Sequence, residues 1–312
     1  MFNRSVTLPV VTGKPKQRSM LVALIIRLLR EKPLGTFGAV VFLLFLFMGI
    51  FADQLAPYGK NDIHPGSFLK PSSARFLLGT DNLGRDLLSR IIFGARVSVV
   101  VSMSGTLLAT FVAMIIGLIS GFYGGKIDIV IQRFVDAVMC FPWLFLVLGI
   151  MAIIGPGLLQ VILTLGVLYG IRNSRIIRSA VIGIRENMYI EAARVVGCSS
   201  IQILVGHILP NVMAPIIIIF TIGVGYMIMT EATLSFIGFG IPPPEPSWGG
   251  MLTVAGRRYM VIAPSLAIWP GIALSVVVFS INMLGDAVRD ILDPRLKGAV
   301  GRFGKIKEGK KR

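Results

Sequence analysis

Six apolar runs, separated by polar and charged segments, set the pattern of this chain. The runs cover residues 36–52, 98–123, 141–154, 158–170, 212–230 and 263–284. An α-helix needs ~20 predominantly apolar residues to cross a bilayer. Each core is near or somewhat short of that length, and the fourth is expected to extend at both ends. The pattern predicts an all-α membrane protein with six transmembrane helices.

The first run has an alternative interpretation. Residues 36–52 could be the core of a secretory signal peptide, since Ala52 and Ala56 follow it. The run is longer than a usual signal core, and a long leader precedes it. An uncleaved first span therefore fits better.

Composition supports a membrane protein. Of the 312 residues, 54% are hydrophobic and only 15% are charged, and the mean hydropathy is +0.81. The net charge of +16 would suggest nucleic acid as a partner for a soluble protein. Most of the basic residues here flank the apolar runs, so membrane topology explains them better and no nucleic-acid partner is expected.

The basic residues also predict an orientation. With the N terminus inside, the inner segments carry 23 of the 31 lysines and arginines, and the outer segments carry 8. Because inner loops are enriched in positive charge, both termini are predicted to be cytoplasmic. The domain boundaries follow: a cytoplasmic segment 1–34, a first span and external loop 35–97, a transmembrane core 98–284 with a cytoplasmic loop 172–211, and a basic cytoplasmic tail 285–312.

Several kinds of chemistry have no candidate residues in this sequence. It contains no G-x-x-x-x-G-K-[ST] phosphate-binding loop, and the apolar cores contain no Asp, Glu, Lys, Arg or His. The two histidines, His64 and His207, fall on opposite predicted sides, and Cys140 and Cys198 lack metal-ligand spacing. We therefore expect no metal site and no catalytic residue. Ion-coupled carriers usually need buried charges, which argues against that class.

The longest polar interruption of the C-terminal half, residues 191–210, predicts two short helices. Glu191 lies near the start of the first helix, and Gly197 can end it in a left-handed cap. Ser199 and Gln202 then have the spacing of a capping box at the start of a second helix. Spacing alone favours an ordinary helical hairpin within a loop.

The same stretch resembles the EAA loop of ABC-importer permeases. The matching residues are Glu191, Ala192, Ala193, Gly197, Leu209 and Pro210. The general pattern has isoleucine where this chain has His207. The version with His207 is similar to the peptide and nickel branch of the family. The resemblance implies that the loop is a coupling helix that docks into a groove of an ATPase subunit.

Three further segments resemble that branch, in the same order along the chain. They are residues 78–90, 231–249 and 282–296. In the first, Thr80 or Asp81 is expected to cap an amphipathic helix. In the second, Glu231 is expected near the outer interface, before an interfacial turn at 234–239, and Trp248 is expected as an interfacial anchor. Glu231, Arg85 and Asp86 are candidate contacts to the path or the binding protein, although Glu231 could instead be a structural acid.

The resemblance implies a type I ABC importer permease fold and a set of partners. These are a second permease subunit forming a heterodimer, two ATPase subunits, an extracytoplasmic substrate-binding protein, a peptide cargo and membrane lipid. ATP and magnesium are expected in the ATPase subunits and no cofactor in this chain, which is not expected to be an enzyme. The implied location is the bacterial inner membrane. A nickel or metal-complex permease remains an alternative, as does a stand-alone ion-coupled carrier or channel.

Overall fold

The computed structural model describes residues 20–253, 258–259 and 261–292, and this part of the chain is mostly helical. No strand occurs within these ranges, where Thr80 and Asp86 form an isolated bridge. The α-helices described are α1 (Met20–Glu31), α2 (Pro33–Ile50), α3 (Ala52–Leu55), α4 (Leu87–Tyr123), α5 (Gly125–Met139), α6 (Trp143–Ile154), α7 (Leu158–Arg185), α8 (Met188–Val195), α9 (Ser200–Ile203), α10 (Met213–Ile237), α11 (Trp248–Met251) and α12 (Ser265–Leu292).

Four helical stretches in the described ranges are long and apolar enough to cross a membrane. They are α2, α4, the continuous stretch Ser200–Ile237, and α12. The pair α5 and α6, bent by 88°, would be a fifth span if it crosses as one unit. The fourth predicted run forms the first half of α7, whose second half carries Arg172, Arg175, Arg178 and Arg185. The fold is thus a multi-pass helical membrane protein with four or five apolar candidate spans.

The structure corrects the expected start of the second span. The predicted outer amphipathic helix and the second apolar run form one 37-residue helix, α4. Its N-cap is Asp86, whose Oδ2 accepts hydrogen bonds from Ser89 N (2.8 Å) and Ser89 Oγ (2.7 Å). The prediction that Thr80 or Asp81 caps this helix was wrong. The Asp81 carboxylate instead accepts from Leu83 N and Arg85 N, which closes a turn ahead of the helix.

Residues 124–140, which separate the second and third apolar runs and are predicted from the sequence as a short loop, instead contain helix α5. The turn between α4 and α5 contains Gly124 and Gly125, whose φ angles of +64° and +54° favour glycine. The following helix, α6, has 12 residues and spans about 18 Å at 1.5 Å per residue. A bilayer core is about 30 Å thick, so α6 cannot cross it alone. The third predicted run therefore belongs to a broken helix pair.

The small residues of α4 pack inside this chain. The buried positions include Gly105, Ala109, Ala113, Gly117 and Gly121, which recur at helical spacing. They face α7: a Cβ built at Gly170 would lie 2.6 Å from Ala109 O, and one built at Gly117 would lie 2.7 Å from Ile177 Cβ. Small residues allow this close backbone approach, which fixes α4 and α7 as the centre of the bundle.

The sequence predicts a helix that leaves the last apolar run and stops at Asp293 and Pro294, and α12 indeed continues past that run to Leu292. Its far end is fixed to the start of α2 by an ion pair between Asp290 and Lys32, 2.6 Å apart. The predicted boundary at 284/285 thus falls inside a helix. The expected helix stop at Asp293 and Pro294 lies outside the described residues, as do segments 1–19 and 293–312.

Candidate functional site

The candidate site is a hairpin of two short helices, α8 and α9, that turns at Gly197. Gly197 has a φ of +90°. Its N–H donates to Arg194 O, and Cys198 N donates to Ala193 O, both at 3.0 Å. These two bonds form a Schellman cap, which satisfies the last carbonyls of α8. The helix end predicted at Gly197 is confirmed.

The second helix of the hairpin begins as predicted. Ser199 Oγ accepts from Gln202 N (3.3 Å), and Ser199 N donates to Gln202 Oε1 (2.7 Å). This reciprocal pair is a capping box. The geometry of the hairpin is therefore encoded locally, by side chains within a few residues of the turn.

One side of the hairpin is anchored in the helix bundle. Ile190, Ile203 and Ile208 are almost completely buried, in a cluster with residues of α4, α7 and α10. The Arg194 guanidinium also lies 5.7 Å from the centre of the Phe122 ring, at the end of α4. The buried isoleucines fix the hairpin at one end of the bundle.

The other side of the hairpin exposes large apolar side chains. Met188 and Val195 are each 87% exposed, Val196 is 83% exposed, and Ile201 is 71% exposed. Apolar residues grouped on a surface mark sites of association. Among the predicted site residues, Glu191, Ala192 and Gly197 are exposed, and Ala193 is half-buried. A Cβ at Gly197 would meet no atom within 4 Å, so space is open around the turn.

The hairpin leads directly into a long helix. A π-helical turn (Leu204–Ile208) and a 3-10 turn (Leu209–Val212) connect α9 to α10. Leu209 and Pro210, the remaining predicted site residues, form the start of the 3-10 turn. No loop separates the hairpin from α10, and a continuous helical stretch runs from Ser200 to Ile237.

Glu231 lies inside α10 rather than past the end of a span. Its side chain is fully buried, and Ser235 Oγ donates to Glu231 Oε1 at 2.7 Å. Ser235 Oγ in turn accepts from Ile241 N (3.1 Å). These bonds hold the chain after α10 against that helix. The interfacial turn expected at 234–239 is corrected, because α10 continues to Ile237.

Trp248 is a core residue, not an interfacial anchor. It is completely buried, and its Nε1 donates to Ile91 O at 3.0 Å. A Cβ at Gly94 would lie 2.7 Å from Trp248 Cδ1, so glycine at position 94 makes room for the indole. The indole fixes α11 against α4.

Arg85 and Asp86 are neighbours in sequence, but their side chains have different surroundings. Arg85 Nε lies 2.7 Å from Asp81 Oδ2, and its side chain lines a cavity of about 540 Å³. Asp86 is buried as the cap of α4. Neither Asp86 nor Glu231 lines the cavity, so the structure does not bring the three predicted residues together into one site.

Two family models match this chain. Residues 113–298 match the binding-protein-dependent transport system inner membrane component, and residues 21–71 match the N-terminal transmembrane domain of oligopeptide transport permease C. The first match covers more than half of the sequence. This chain belongs to the family of binding-protein-dependent transport permeases.

Relatives of this permease have closely matching lengths. A putative peptide transport system permease protein of Brucella suis is 38% identical over 87% of this chain and 90% of its own. The dipeptide transport system permease protein DppC of Alkalihalophilus pseudofirmus is 37% identical over 86% and 88%. The glutathione transport system permease protein GsiD of Pectobacterium atrosepticum is 37% identical over 87% and 90%. The chain is therefore a permease subunit of an ABC transport system.

A solved structure supports the fold of the permease. A chain of the MetNI methionine ABC transporter, in inward-facing conformations, superposes with a TM-score of 0.52. The match covers 65% of this chain and 96% of that chain, at 18% sequence identity. The bundle thus has the fold of an ABC importer permease, and this likeness concerns the fold alone.

Sequence reasoning missed two features of the permease. The exposed hairpin residues Val195 and Val196 were not recognised as a surface, although two adjacent β-branched residues before a predicted cap glycine are a visible signal. The side chains of Arg90 and Tyr259 line the cavity. They could not be assigned to one site because they lie 169 positions apart in the sequence.

Proposed function

We propose that this permease is one of two permease subunits of an ATP-driven importer of di- or oligopeptides in the bacterial inner membrane. The relatives support the cargo, since they include peptide, dipeptide and di/tripeptide transport permeases. The charge bias of the sequence supports cytoplasmic termini. With the bent pair α5–α6 and α7 as the third and fourth spans, the chain crosses the membrane six times.

The hairpin carries the proposal. It has an anchored side, through Ile190 and Ile203, and a free apolar side, through Met188, Val195 and Val196. A surface that is fixed to the bundle yet unpartnered within the described chain suits a subunit contact. We infer that an ATPase subunit binds there, on the cytoplasmic side, in contact with Glu191 and Ala192.

The remaining partners follow from the same proposal. A second permease subunit completes the path, two ATPase subunits bind ATP and magnesium, and an extracytoplasmic protein delivers the peptide. This chain itself holds no cofactor and catalyses no reaction. Closure of the ATPase dimer shifts the permease pair between inward-open and outward-open states, so transport depends on conformational bias rather than on chemistry in this chain.

Uptake by whole cells tests the proposal. A strain that lacks this chain is complemented with it, and uptake of a labelled dipeptide, a labelled longer peptide and labelled nickel is compared with and without ATP depletion. We expect ATP-dependent uptake of one of the peptides. Uptake of nickel alone would overturn the cargo while keeping the architecture, and uptake that survives ATP depletion would overturn the ATP-driven mechanism.

A further inference from the structure

A second site lies at the opposite end of the bundle from the hairpin. The hairpin sits near Phe122 at the end of α4, whereas the cavity of about 540 Å³ is lined by Arg90 in the first turn of that helix. Thirty-two residues of helix separate them, or about 48 Å at 1.5 Å per residue. On the proposed topology, the cavity is therefore extracytoplasmic.

The cavity walls combine apolar surface with an excess of arginine. Its apolar lining includes Leu83, Ile241, Pro243, Met251, Tyr259 and Leu266. Its charged lining consists of Asp81, Arg85, Arg90, Glu245 and Arg258. Glu245 is paired with Lys60. Among the described lining residues, the arginines therefore outnumber the carboxylates by three to two.

Arg90 is the most deeply buried of the arginines that line the cavity. Its side chain is 8% exposed, and its Nε lies 3.6 Å from Asp81 Oδ2, which Arg85 Nε already approaches to 2.7 Å. Within the described residues, its guanidinium makes one hydrogen bond, from Nη1 to Lys60 O at 3.0 Å. A guanidinium carries five N–H donors, and burying a charge with donors unmade is costly. An anion in the cavity would complete its hydrogen bonding.

We propose that this cavity binds the C-terminal carboxylate of a short peptide, held by Arg90 and Arg258, with the peptide side chain against the apolar wall. The guanidinium fork matches a carboxylate geometrically. The volume lies within the ~300–1,000 Å³ that is typical of small-molecule sites. The depth of Arg90 favours a free chain end over an acidic side chain on a docked protein surface. The inference rests on the proposed function for the identity of the cargo.

Photo-crosslinking tests the site directly. The assembled transporter, reconstituted in nanodiscs without the binding protein, is irradiated with the dipeptide alanyl-benzoylphenylalanine. Alanyl-phenylalanine or its C-terminal amide serves as competitor, and labelled positions are mapped by mass spectrometry. We expect labelling within residues 241–266, with the acid competing at least tenfold better than the amide.

Variants sharpen the test. Arg258→Gln alters an exposed side chain, so the variant should fold, and we expect its labelling to be about tenfold weaker. Arg90→Lys should weaken labelling to the same extent. Arg96→Gln is the matched control, because Arg96 lies on the same helix but bonds to Gly49 O and Asp53, outside the cavity. Unchanged labelling of Arg96→Gln, together with the loss at position 258, would support the site.

Other results would overturn the inference. Equal competition by acid and amide would do so, as would wild-type labelling of Arg258→Gln. If, in a separate pull-down with the binding protein present, Arg258→Gln loses that protein while acid competition in the crosslinking assay stays intact, the arginine serves protein docking and the inference fails. Peptide uptake by the wild type is measured in parallel. Normal uptake with unselective labelling overturns only the assignment of the cavity as a carboxylate-binding site. Selective labelling without uptake supports that assignment and overturns the proposed import function.

Discussion

Gly197 offers the sharpest perturbation of the hairpin and so of its proposed coupling role. Its φ of +90° lies where L-residues rarely go, and a Cβ there would meet no neighbouring atom. Replacement by valine therefore causes backbone strain without a steric clash. The left-handed conformation costs an L-residue ~1–2 kcal/mol, and a β-branched residue tolerates it least.

The strain competes with two backbone hydrogen bonds of the cap, from Gly197 N and Cys198 N. Each contributes about 0.5–1.5 kcal/mol, a sum comparable with the strain. A shift of 2 kcal/mol changes the ratio of two states by roughly 30-fold. Because Ile190 and Ile203 remain buried, we expect Gly197→Val to change the shape of the turn rather than to unfold the bundle.

The assay compares membrane level, co-purification of the ATPase subunits and ATP-dependent peptide uptake. We expect Gly197→Val to insert normally but to lose ATPase binding and at least nine-tenths of uptake. Gly197→Asn should retain both, since asparagine tolerates the left-handed conformation. Gly183→Val is the matched control, because it lies in α7 with no atom within 4 Å of a Cβ and no positive φ. Normal uptake by Gly197→Val would refute the coupling assignment.

Three further pairs of variants test the packing that supports the site. Glu231→Gln keeps an acceptor for Ser235 and should transport normally, whereas Glu231→Ala should lose ~1–3 kcal/mol of stability in thermal unfolding. Loss of transport by Glu231→Gln at wild-type stability would instead show that the carboxylate is functional. Gly170→Val would press its side chain against Ala109 O and should destabilise the α4–α7 contact by about 1–3 kcal/mol in thermal unfolding. Gly271→Ala is the control: its added Cβ meets no atom within 4 Å, so thermal unfolding should be unchanged. Asp128→Asn removes the carboxylate that accepts from Arg178 Nε at 2.7 Å and should cost ~1–3 kcal/mol in thermal unfolding. Arg133→Gln, at a side chain 80% exposed, should change stability by less than ~0.5 kcal/mol, and equal effects of the two variants would contradict the role given to the partly buried pair of Asp128 and Arg178.

The hairpin could be predicted from sequence because its determinants are local. The cap at Gly197 is closed by hydrogen bonds that span at most five positions, and Ser199 and Gln202 bond to each other across three positions. Such features depend on backbone geometry and short spacing. The apolar runs were likewise visible, since lipid exposure requires continuous apolar sequence.

Features that depend on distant partners were missed. Helix α5 was expected as a loop, yet its Asp128 pairs with Arg178, 50 residues away. Trp248 was assigned to the membrane interface because its acceptor, Ile91 O, is 157 residues away. The cap of α4 was misplaced because Asp81 is held by Leu83 and Arg85 instead. In each case a tertiary or competing local contact decided the outcome.

The two ends of the permease are linked by one element. The stretch Ser200–Ile237 begins in the hairpin and ends beside Ser235, which holds the segment that walls the cavity. A displacement of the hairpin is therefore transmitted along a helix rather than absorbed in a loop. The regular hydrogen bonding of that stretch is broken only between Leu204 and Val212, where π and 3-10 turns replace α-helix. Since such interruptions often mark hinges, flexing between hairpin and cavity should concentrate there, next to Leu209 and Pro210.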